Sequence, residues 1–220
     1  MTGTHYTQFC ALARAAEIIG ERWTLLIVRE LLLGPKRFSD LAARLDGVSP
    51  ALLTARLNAL MESGVIERGV LPAPFNAQVY ELTETGRAMQ PAIRELIRWG
   101  GRFLFPMRKD DTFEPDWVLL ALDAIARPTP TPVIRIGLRV PHPAGSADFA
   151  IEGGPAGTRI ARGEPAGVPK IEARFDVFLQ ILAGQVTLKS ALANRQAKIE
   201  GSARALSKLP LLFELATSVR

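Results

Sequence analysis

The sequence predicts an α+β protein of two domains: an N-terminal winged helix-turn-helix domain over residues 1–110, and a C-terminal domain over residues 113–220 in which helices cover an antiparallel sheet. Three observations predict this organisation. Residues 1–105 show mostly helical periodicity with one interruption. A charged break, "MRKDDTFEPD" (Met107–Asp116), follows. Beyond the break, strand-like alternation joins the helices, as in an α+β layer.

Composition and charge narrow the class of protein. With 48% hydrophobic and 22% charged residues, the chain has the composition of a folded globular protein. Its net charge of +5 permits an anionic partner but is too small to identify one. No segment approaches the ~18–20 uninterrupted apolar residues of a membrane helix, and the N-terminus lacks a basic flank. We therefore expect a cytoplasmic protein without a membrane partner.

The first domain opens with helices whose ends are marked in the sequence. "RWTLLIVRELLLG" reads as a largely buried helix that stops at Gly34. In "RFSDLAARLDG", Ser39 is placed to cap a short helix, and a tight turn at Asp46 follows. "SPALLTARLNALMESG" then begins with Ser49 at the N-cap and Pro50 at the first helical position. Together these segments predict a helix-turn-helix.

A wing and a closing helix are predicted next. "VIERGVLPAPFNAQVYELT" reads as two strands joined by a loop that contains proline and glycine, with Ile66, Val79 and Leu82 among the apolar positions. "ETGRAMQPAIRELIRWGGRFLF" has the apolar stripe of one long helix, in which Pro91 lies near the start or bends it.

The second domain alternates strands and helices. Asp116 is placed to cap the helix "WVLLALDAIAR", and "VIRIGLRV" has the alternation of a half-buried strand. "ADFAIEGG", "GTRIARGEP" and "PKIEARFDV" read as further strands. "FLQILAGQ", "LKSALANRQ" and "SKLPLLFELATSV" read as helices, with "AKIEG" a short strand between the last two.

The first domain resembles the HxlR-type winged helix-turn-helix regulators over about residues 8–104. The early cysteine, "IGERWTLLIVREL", "RFSDL", "LLTARLNALMESG" and "YELTETG" fall in the order found in that family. The resemblance implies a dimeric bacterial transcriptional regulator in which the first and last helices of the domain form the dimer interface, and we expect it to act as a repressor. It also implies that the third helix of the motif enters the major groove of double-stranded DNA. A helix-turn-helix pattern alone is compatible with a plain structural module.

Helical spacing then assigns candidate DNA contacts. Leu53 and Leu57 face inward, whereas Asn58 faces outward and Thr54 and Arg56 lie on the flanks. Asparagine can pair with adenine, and threonine can bond to bases or phosphate. Because Arg56 is the only basic residue of this helix, phosphate anchoring must come largely from elsewhere. The candidate DNA-binding residues are Lys36, Arg37, Ser49, Thr54, Arg56, Asn58 and Arg68.

The end of the chain resembles the sterol-carrier-protein-type lipid-binding fold. The resemblance rests on Pro169–Leu215, with a strand, a helix to "LAGQ", the passage "ALANRQAKIEG" and a final apolar helix. It implies an apolar tunnel between helices and sheet, and hence a small hydrophobic ligand that modulates operator affinity. The candidate lining residues, each equally compatible with an ordinary core position, are Phe175, Phe178, Leu182, Leu192, Leu209 and Phe213.

Other chemistry has little support in the sequence. Cys10 is the only cysteine and is either a small packed residue or a reactive thiol. His5 and His142 are isolated, which argues against a metal site. No nucleotide-binding or triad motif is present, so we expect neither a cofactor nor an enzyme. Two alternatives stay open: a redox-responsive regulator acting through Cys10, and a hydrophobic-molecule carrier or dimerisation protein whose DNA binding is incidental.

Overall fold

A computed structural model describes residues 5–215 and divides the chain into two compact units, Met1–Ile93 and Arg94–Arg220. The division falls inside a helix, whereas the limits predicted from the sequence place the boundary farther along the chain, at the charged segment 107–116. No helix of the described part is long and apolar enough to cross a membrane.

The first unit is a bundle of short helices followed by a two-stranded hairpin, as the sequence predicts. Its core is formed by aliphatic side chains such as Ile27, Leu41 and Leu57, all fully buried. The elements are α1 (Ala11–Ile19), α2 (Thr24–Leu32), α3 (Phe38–Arg44), α4 (Pro50–Glu62), β1 (Ile66–Val70), β2 (Gln78–Leu82) and α5 (Glu84–Arg87).

The third and fourth helices begin in different ways. Ser49 caps α4 as predicted, because its Oγ accepts a hydrogen bond of 3.3 Å from the amide of Leu52. The predicted cap of α3 at Ser39 is wrong, since the helix already begins at Phe38. Instead the Asp40 carboxylate reaches back and accepts a 3.0 Å hydrogen bond from the amide of Arg37, the actual N-cap residue.

The helix after the wing is shorter than predicted. The single long helix expected from the apolar stripe is wrong: α5 ends at Arg87, α6 covers Gln90–Gly100, and a 3₁₀ turn covers Gly101–Phe103. Pro91 explains the interruption, because it lacks an amide hydrogen and is tolerated only in the first turn of a helix, where it lies here.

The second unit is a five-stranded sheet covered by helices. Its strands are ordered β5-β4-β3-β6-β7. The remaining elements are α7 (Trp117–Ile125), β3 (Ile134–His142), β4 (Gly145–Gly154), β5 (Gly157–Arg162), β6 (Lys170–Ala173), α8 (Phe175–Leu182), α9 (Leu188–Ala193), β7 (Ala197–Glu200), α10 (Ala203–Leu206) and a 3₁₀ turn (Leu209–Leu212).

The sheet is mixed, so the prediction of an antiparallel sheet is wrong at one strand pair: β3 and β6 are parallel. After β5 the chain crosses the sheet through residues 163–169 and adds β6 on the other side of β3. The crossing passes Gly137, where an added Cβ would lie 3.1 Å from Cγ of Lys170 and 3.5 Å from Cγ of Pro165. A sequence reading that pairs consecutive strands as hairpins does not anticipate such a crossover.

Three further local predictions are corrected. "PKIEARFDV" is strand only to Ala173, because Phe175 already begins α8. Asp116 makes no side-chain cap to α7; its backbone is helical and its carboxylate pairs with Arg162. The final apolar stretch is no long helix within the described residues, since Pro210 lies in the 3₁₀ turn and Phe213 forms a bridge to Ala126. Its last residues, 216–219, lie outside the described part.

Candidate nucleic-acid interface

The surface of α4 separates into an apolar and a polar face. At most 1% of the surface of each of three leucines is exposed, and they hold the helix against the core of its unit: Leu53, Leu57 and Leu60. Thr54 and Asn58 are exposed and lie four residues apart, so they share one face. The Thr54 hydroxyl donates a 2.9 Å hydrogen bond to the carbonyl of its own helix at residue 50. The Asn58 amide, which has both donors and an acceptor, is therefore the more available base-reading group.

Ser49 and Arg56, the two other candidates of α4, are both engaged in contacts within the chain. Ser49 stands at the N-terminus of α4, with its oxygen engaged in the cap. Arg56 turns away to the side, and its guanidinium lies 2.6 Å from a carboxylate oxygen of Glu21, in the segment between α1 and α2. Its Nε is buried and has no hydrogen-bond partner among the described residues. The one basic residue of α4 is thus held in an intramolecular ion pair.

Two basic candidates outside α4, Lys36 and Arg68, lie at the wing, the hairpin of β1 and β2. β1 and β2 pair from Ile66 opposite Leu82 to Val70 opposite Gln78, and Lys36 adds a bridge to Tyr80 on the free side of β2. Arg68 lies opposite Tyr80 in the same register. Directly opposed residues share one face of a sheet, so Arg68, Tyr80 and Lys36 belong to the same face.

The opposite face of the wing is acidic. Glu67 lies directly opposite Glu81, one residue out of phase with Arg68 and Tyr80. Two carboxylates facing each other repel a polyanion as well as one another. The wing therefore has one face suited to phosphate and one that is not.

Lys36 and Arg37 precede α3 and differ in availability. Lys36 is half-buried, and its Nζ lies 3.4 Å from the carbonyl oxygen of Gly34. Burial lowers the pKa of Lys36 below its usual value, and the neighbouring Arg44 cation acts in the same direction. Arg37 is exposed, and within residues 5–215 no carboxylate lies within ion-pair distance of its guanidinium. Arg37 is thus better placed than Lys36 to reach a phosphate.

The structure places four of the predicted DNA contacts in two pairs and adds two residues that the sequence does not reveal. Thr54 and Asn58 lie on one helix face, and Lys36 and Arg68 on one face of the wing. Tyr80 and Glu21 were missed. The pairing of Lys36 with β2 is needed to place Tyr80, and the ion pair of Glu21 joins positions 35 residues apart, for which a single sequence offers no signal.

The predicted ligand-lining residues of the second unit are packed into one hydrophobic core. Phe178 and Leu209 are fully buried, and the rings of Phe178 and Phe213 meet edge to face with centroids 6.4 Å apart. The same cluster contains Leu182 and Phe213, and Phe175 and Leu192 pack against it. One open pocket of this unit, of about 510 Å³, is lined by other residues: Glu164, Pro165, Ala166, Gly167, Val168, Lys170 and Glu200.

Cys10 is exposed, so of the two readings left open by the sequence, that of a small packed residue does not hold for the described chain. It occupies the N-cap position of α1, and its carbonyl accepts a 3.1 Å hydrogen bond from the amide of Arg14. Leu12 on α1 and the preceding Phe9 are also exposed, at 77% and 110%. Across the described residues, no three His, Cys, Asp or Glu side chains are grouped to hold a metal ion.

Comparison with known proteins gives a consistent result for the N-terminal part of the chain. Residues 18–108 match the HxlR-like helix-turn-helix family. The HTH-type transcriptional regulator YvaP of Bacillus subtilis is 37% identical over 93 residues, which cover 42% of this chain and 86% of YvaP. The HTH-type transcriptional regulator Mb3122 of Mycobacterium bovis is 42% identical over 94 residues, 43% of this chain. The match spans only 59% of the length of Mb3122.

Among solved structures, the reduced form of the transcriptional regulator YodB from Bacillus subtilis is similar to this chain at 33% identity. The match covers 46% of this chain and 100% of that one, with a TM-score of 0.39.

Proposed function

Because the chain belongs to the HxlR-like helix-turn-helix family over residues 18–108, we propose that it is a transcriptional regulator that binds double-stranded DNA through α4 and the wing. The observation that carries this proposal is the exposed polar face of α4, on which Asn58 is available while the leucines of the opposite face are buried. The Asn58 amide is open to solvent, with both donors and its acceptor free to meet the edge of a base.

In the proposed complex α4 lies in the major groove. Asn58 pairs with adenine, and Thr54 and Ser49 contact bases or phosphate near the start of the helix. Arg37, Arg68 and, less strongly, Lys36 hold phosphates on either side. Arg56 contributes little in this arrangement, because its charge is already neutralised by Glu21.

The proposal includes a homodimer that acts as a repressor. Within the first unit, Phe9 and Leu12 leave a large apolar surface in solvent at α1. Within the second unit, Leu96, Trp99 and Phe103 do the same along α6 and the turn after it, at 41%, 59% and 66% exposure. Exposed apolar surface of this kind favours association with a second copy.

The test of DNA binding starts from a pool of random duplexes, from which the full-length protein selects its preferred sequence. We expect a selected, two-fold symmetric duplex that binds a dimer, measured by fluorescence anisotropy and by light scattering. Leu12→Ser should weaken the dimer, and Leu211→Ser, which removes another exposed leucine (53%) of the chain, serves as its control. A monomer that selects no sequence contradicts the proposal.

For the second domain, taken as residues 113–220, we propose a sterol-carrier-like role in binding a small hydrophobic ligand. The support is the resemblance of Pro169–Leu215 to the sterol-carrier-type fold and the sheet with helices over an apolar cluster. The candidate lining residues are packed within or against that cluster, so a ligand has to separate them in order to enter. A ligand that prefers one of two arrangements of the protein changes operator affinity by its differential binding. No cofactor, enzymatic activity or membrane partner belongs to this proposal, and the protein acts in the cytoplasm.

Mass spectrometry of the protein, denatured after gentle purification, tests this role by detecting a retained apolar molecule. Leu182→Trp should exclude such a molecule, whereas Leu211→Trp on the surface should not. A retained molecule with no effect on DNA affinity favours a hydrophobic-molecule carrier whose DNA binding is incidental. Absence of any retained or added ligand leaves the domain as a dimerisation element.

The exposure of Cys10 favours a second candidate function, redox-responsive regulation. A lone cysteine can switch a dimer by pairing between subunits or by accepting a small thiol adduct. Treatment with diamide should then change DNA affinity in the wild type and leave Cys10→Ser unaffected. An equal response of both proteins removes this candidate.

A further inference from the structure

The tip of the wing exposes apolar surface and carries no charge. Residues 69–78, "GVLPAPFNAQ", contain no ionisable side chain. Val70 and Phe75 are 70% and 66% exposed. The tip therefore offers no cation to a phosphate, unlike the base of the wing, where Arg68 lies. An exposed phenylalanine is unfavourable in water and gains by entering an apolar environment.

The loop that carries Phe75 is closed by its own hydrogen bonds. The amide of Leu71 donates to the carbonyl of Ala77 at 2.9 Å, and the amide of Phe75 donates to the carbonyl of Pro72 at 3.1 Å. Prolines at 72 and 74 fix φ at two positions of the loop. The ring is therefore presented to solvent on an ordered support, and little further conformational entropy is lost when it contacts a partner.

The base of the wing is attached to α4. The Thr83 hydroxyl, directly after β2, donates a 2.6 Å hydrogen bond to the carbonyl of Gly64, which follows the last turn of α4. Strands of five residues extend about 16 Å at ~3.3 Å per residue. Half a turn of B-DNA, the step from one groove to the next, is about 17 Å. With α4 in a major groove, a wing that extends along the duplex axis is long enough to reach the adjacent minor groove.

We propose that Phe75 enters this minor groove as an apolar wedge and partly unstacks one base-pair step. Apolar side chains act in this way in other minor-groove proteins, at the cost of unstacking a step. Pyrimidine–purine steps are the easiest to open, so Phe75 selects for such a step at a fixed distance from the bases read by α4. This inference rests on the proposed DNA binding and names how the wing takes part in it.

The experiment uses the full-length protein and a duplex of about 30 base pairs that the wild type has selected from a random pool. Phe75→Ala should bind this duplex roughly 10-fold more weakly, about 1.4 kcal/mol, with an unchanged salt dependence because no cation is lost. Phe75→Trp should retain the affinity. Val133→Ala, which shortens another exposed side chain (85%) in the second unit, is the matched control.

A second readout reports the unstacking itself. The adenine analogue 2-aminopurine, placed at the pyrimidine–purine step beside the α4 site, should brighten with the wild type and Phe75→Trp but not with Phe75→Ala. If the wild type selects a duplex and Phe75→Ala matches it in affinity and fluorescence, the wedge is overturned while DNA binding stands. If Phe75→Ala instead loses its dimer and keeps its DNA affinity, Phe75 is a protein contact and the wedge is equally overturned. If the wild type selects no duplex, the proposed function fails and the wedge with it.

Discussion

The guanidinium of Arg56 lies 2.6 Å from the carboxylate of Glu21, so the only basic residue of α4 is neutralised by the segment between α1 and α2. The Arg56 side chain is 20% exposed and that of Glu21 is 49% exposed. Solvent partly screens an ion pair with this much exposure, so the pair contributes at most roughly 1 kcal/mol to the free energy of folding. Its larger consequence is electrostatic, because it removes one cation from the surface proposed to face DNA.

Releasing Arg56 should therefore strengthen non-specific DNA binding. In Glu21→Gln the guanidinium is free to take a phosphate, and the slope of log K against log salt should steepen by about 0.9. The affinity for a random duplex should rise several-fold, measured by anisotropy across a salt titration. Glu214→Gln, an exposed carboxylate of the second unit, makes the same change in net charge and controls for it. An unchanged slope in Glu21→Gln, or an equal change in the control, shows that Arg56 does not face the phosphates.

Lys36 should make stability depend on pH in the alkaline range. Its folded pKa is lowered, mainly by burial, from the ordinary value of 10.5. The unfolded chain then binds more protons at this site than the folded chain, so the free energy of unfolding rises with pH between the folded pKa and the ordinary value. At neutral pH the cost of burying the cation is fully present. Lys36→Met should thus stabilise the protein near neutral pH and lose this rise, as followed by urea denaturation against Lys189→Met, an exposed control.

The sequence predicts the first unit better than the second, for a physical reason. The ends of α4 and the hairpin β1–β2 depend on neighbours in the chain, such as Ser49 and the Pro- and Gly-bearing loop, and local signals specify them. The parallel pairing of β3 with β6 depends on a crossover packed over Gly137, which no local signal encodes. The site follows the same rule. Asn58 follows from helical spacing, whereas the partner of Arg56 lies 35 residues away.

Gly86 should be intolerant of any side chain. It is buried in α5, and an added Cβ would lie 2.1 Å from the carbonyl oxygen of Val65 and 2.9 Å from a methyl carbon of Leu82. The backbone at Val65 leads into the wing and can move only by disturbing the hairpin. Gly86→Ala should therefore destabilise the first unit by roughly 1–3 kcal/mol. Gly100→Ala, at the end of α6 with no atom within 4 Å of the added Cβ, should leave stability unchanged or raise it by up to about 1 kcal/mol. Equal urea midpoints for the two variants contradict this packing.

Asn58 should carry base preference without carrying much electrostatic affinity. Its amide can donate to and accept from one adenine edge, a pairing that contributes about 1–3 kcal/mol of discrimination. The wild type should prefer the selected duplex to one in which that adenine is replaced. Asn58→Ala should lower this preference about tenfold, while the salt dependence stays the same. Thr54→Ala is the matched comparison on the same face: its hydroxyl already donates to the helix backbone at 2.9 Å, so a smaller effect is expected. Competition binding with the substituted duplexes measures both. If Asn58→Ala retains the full preference, α4 does not present this face to the bases, and the orientation proposed for the helix in the groove is wrong.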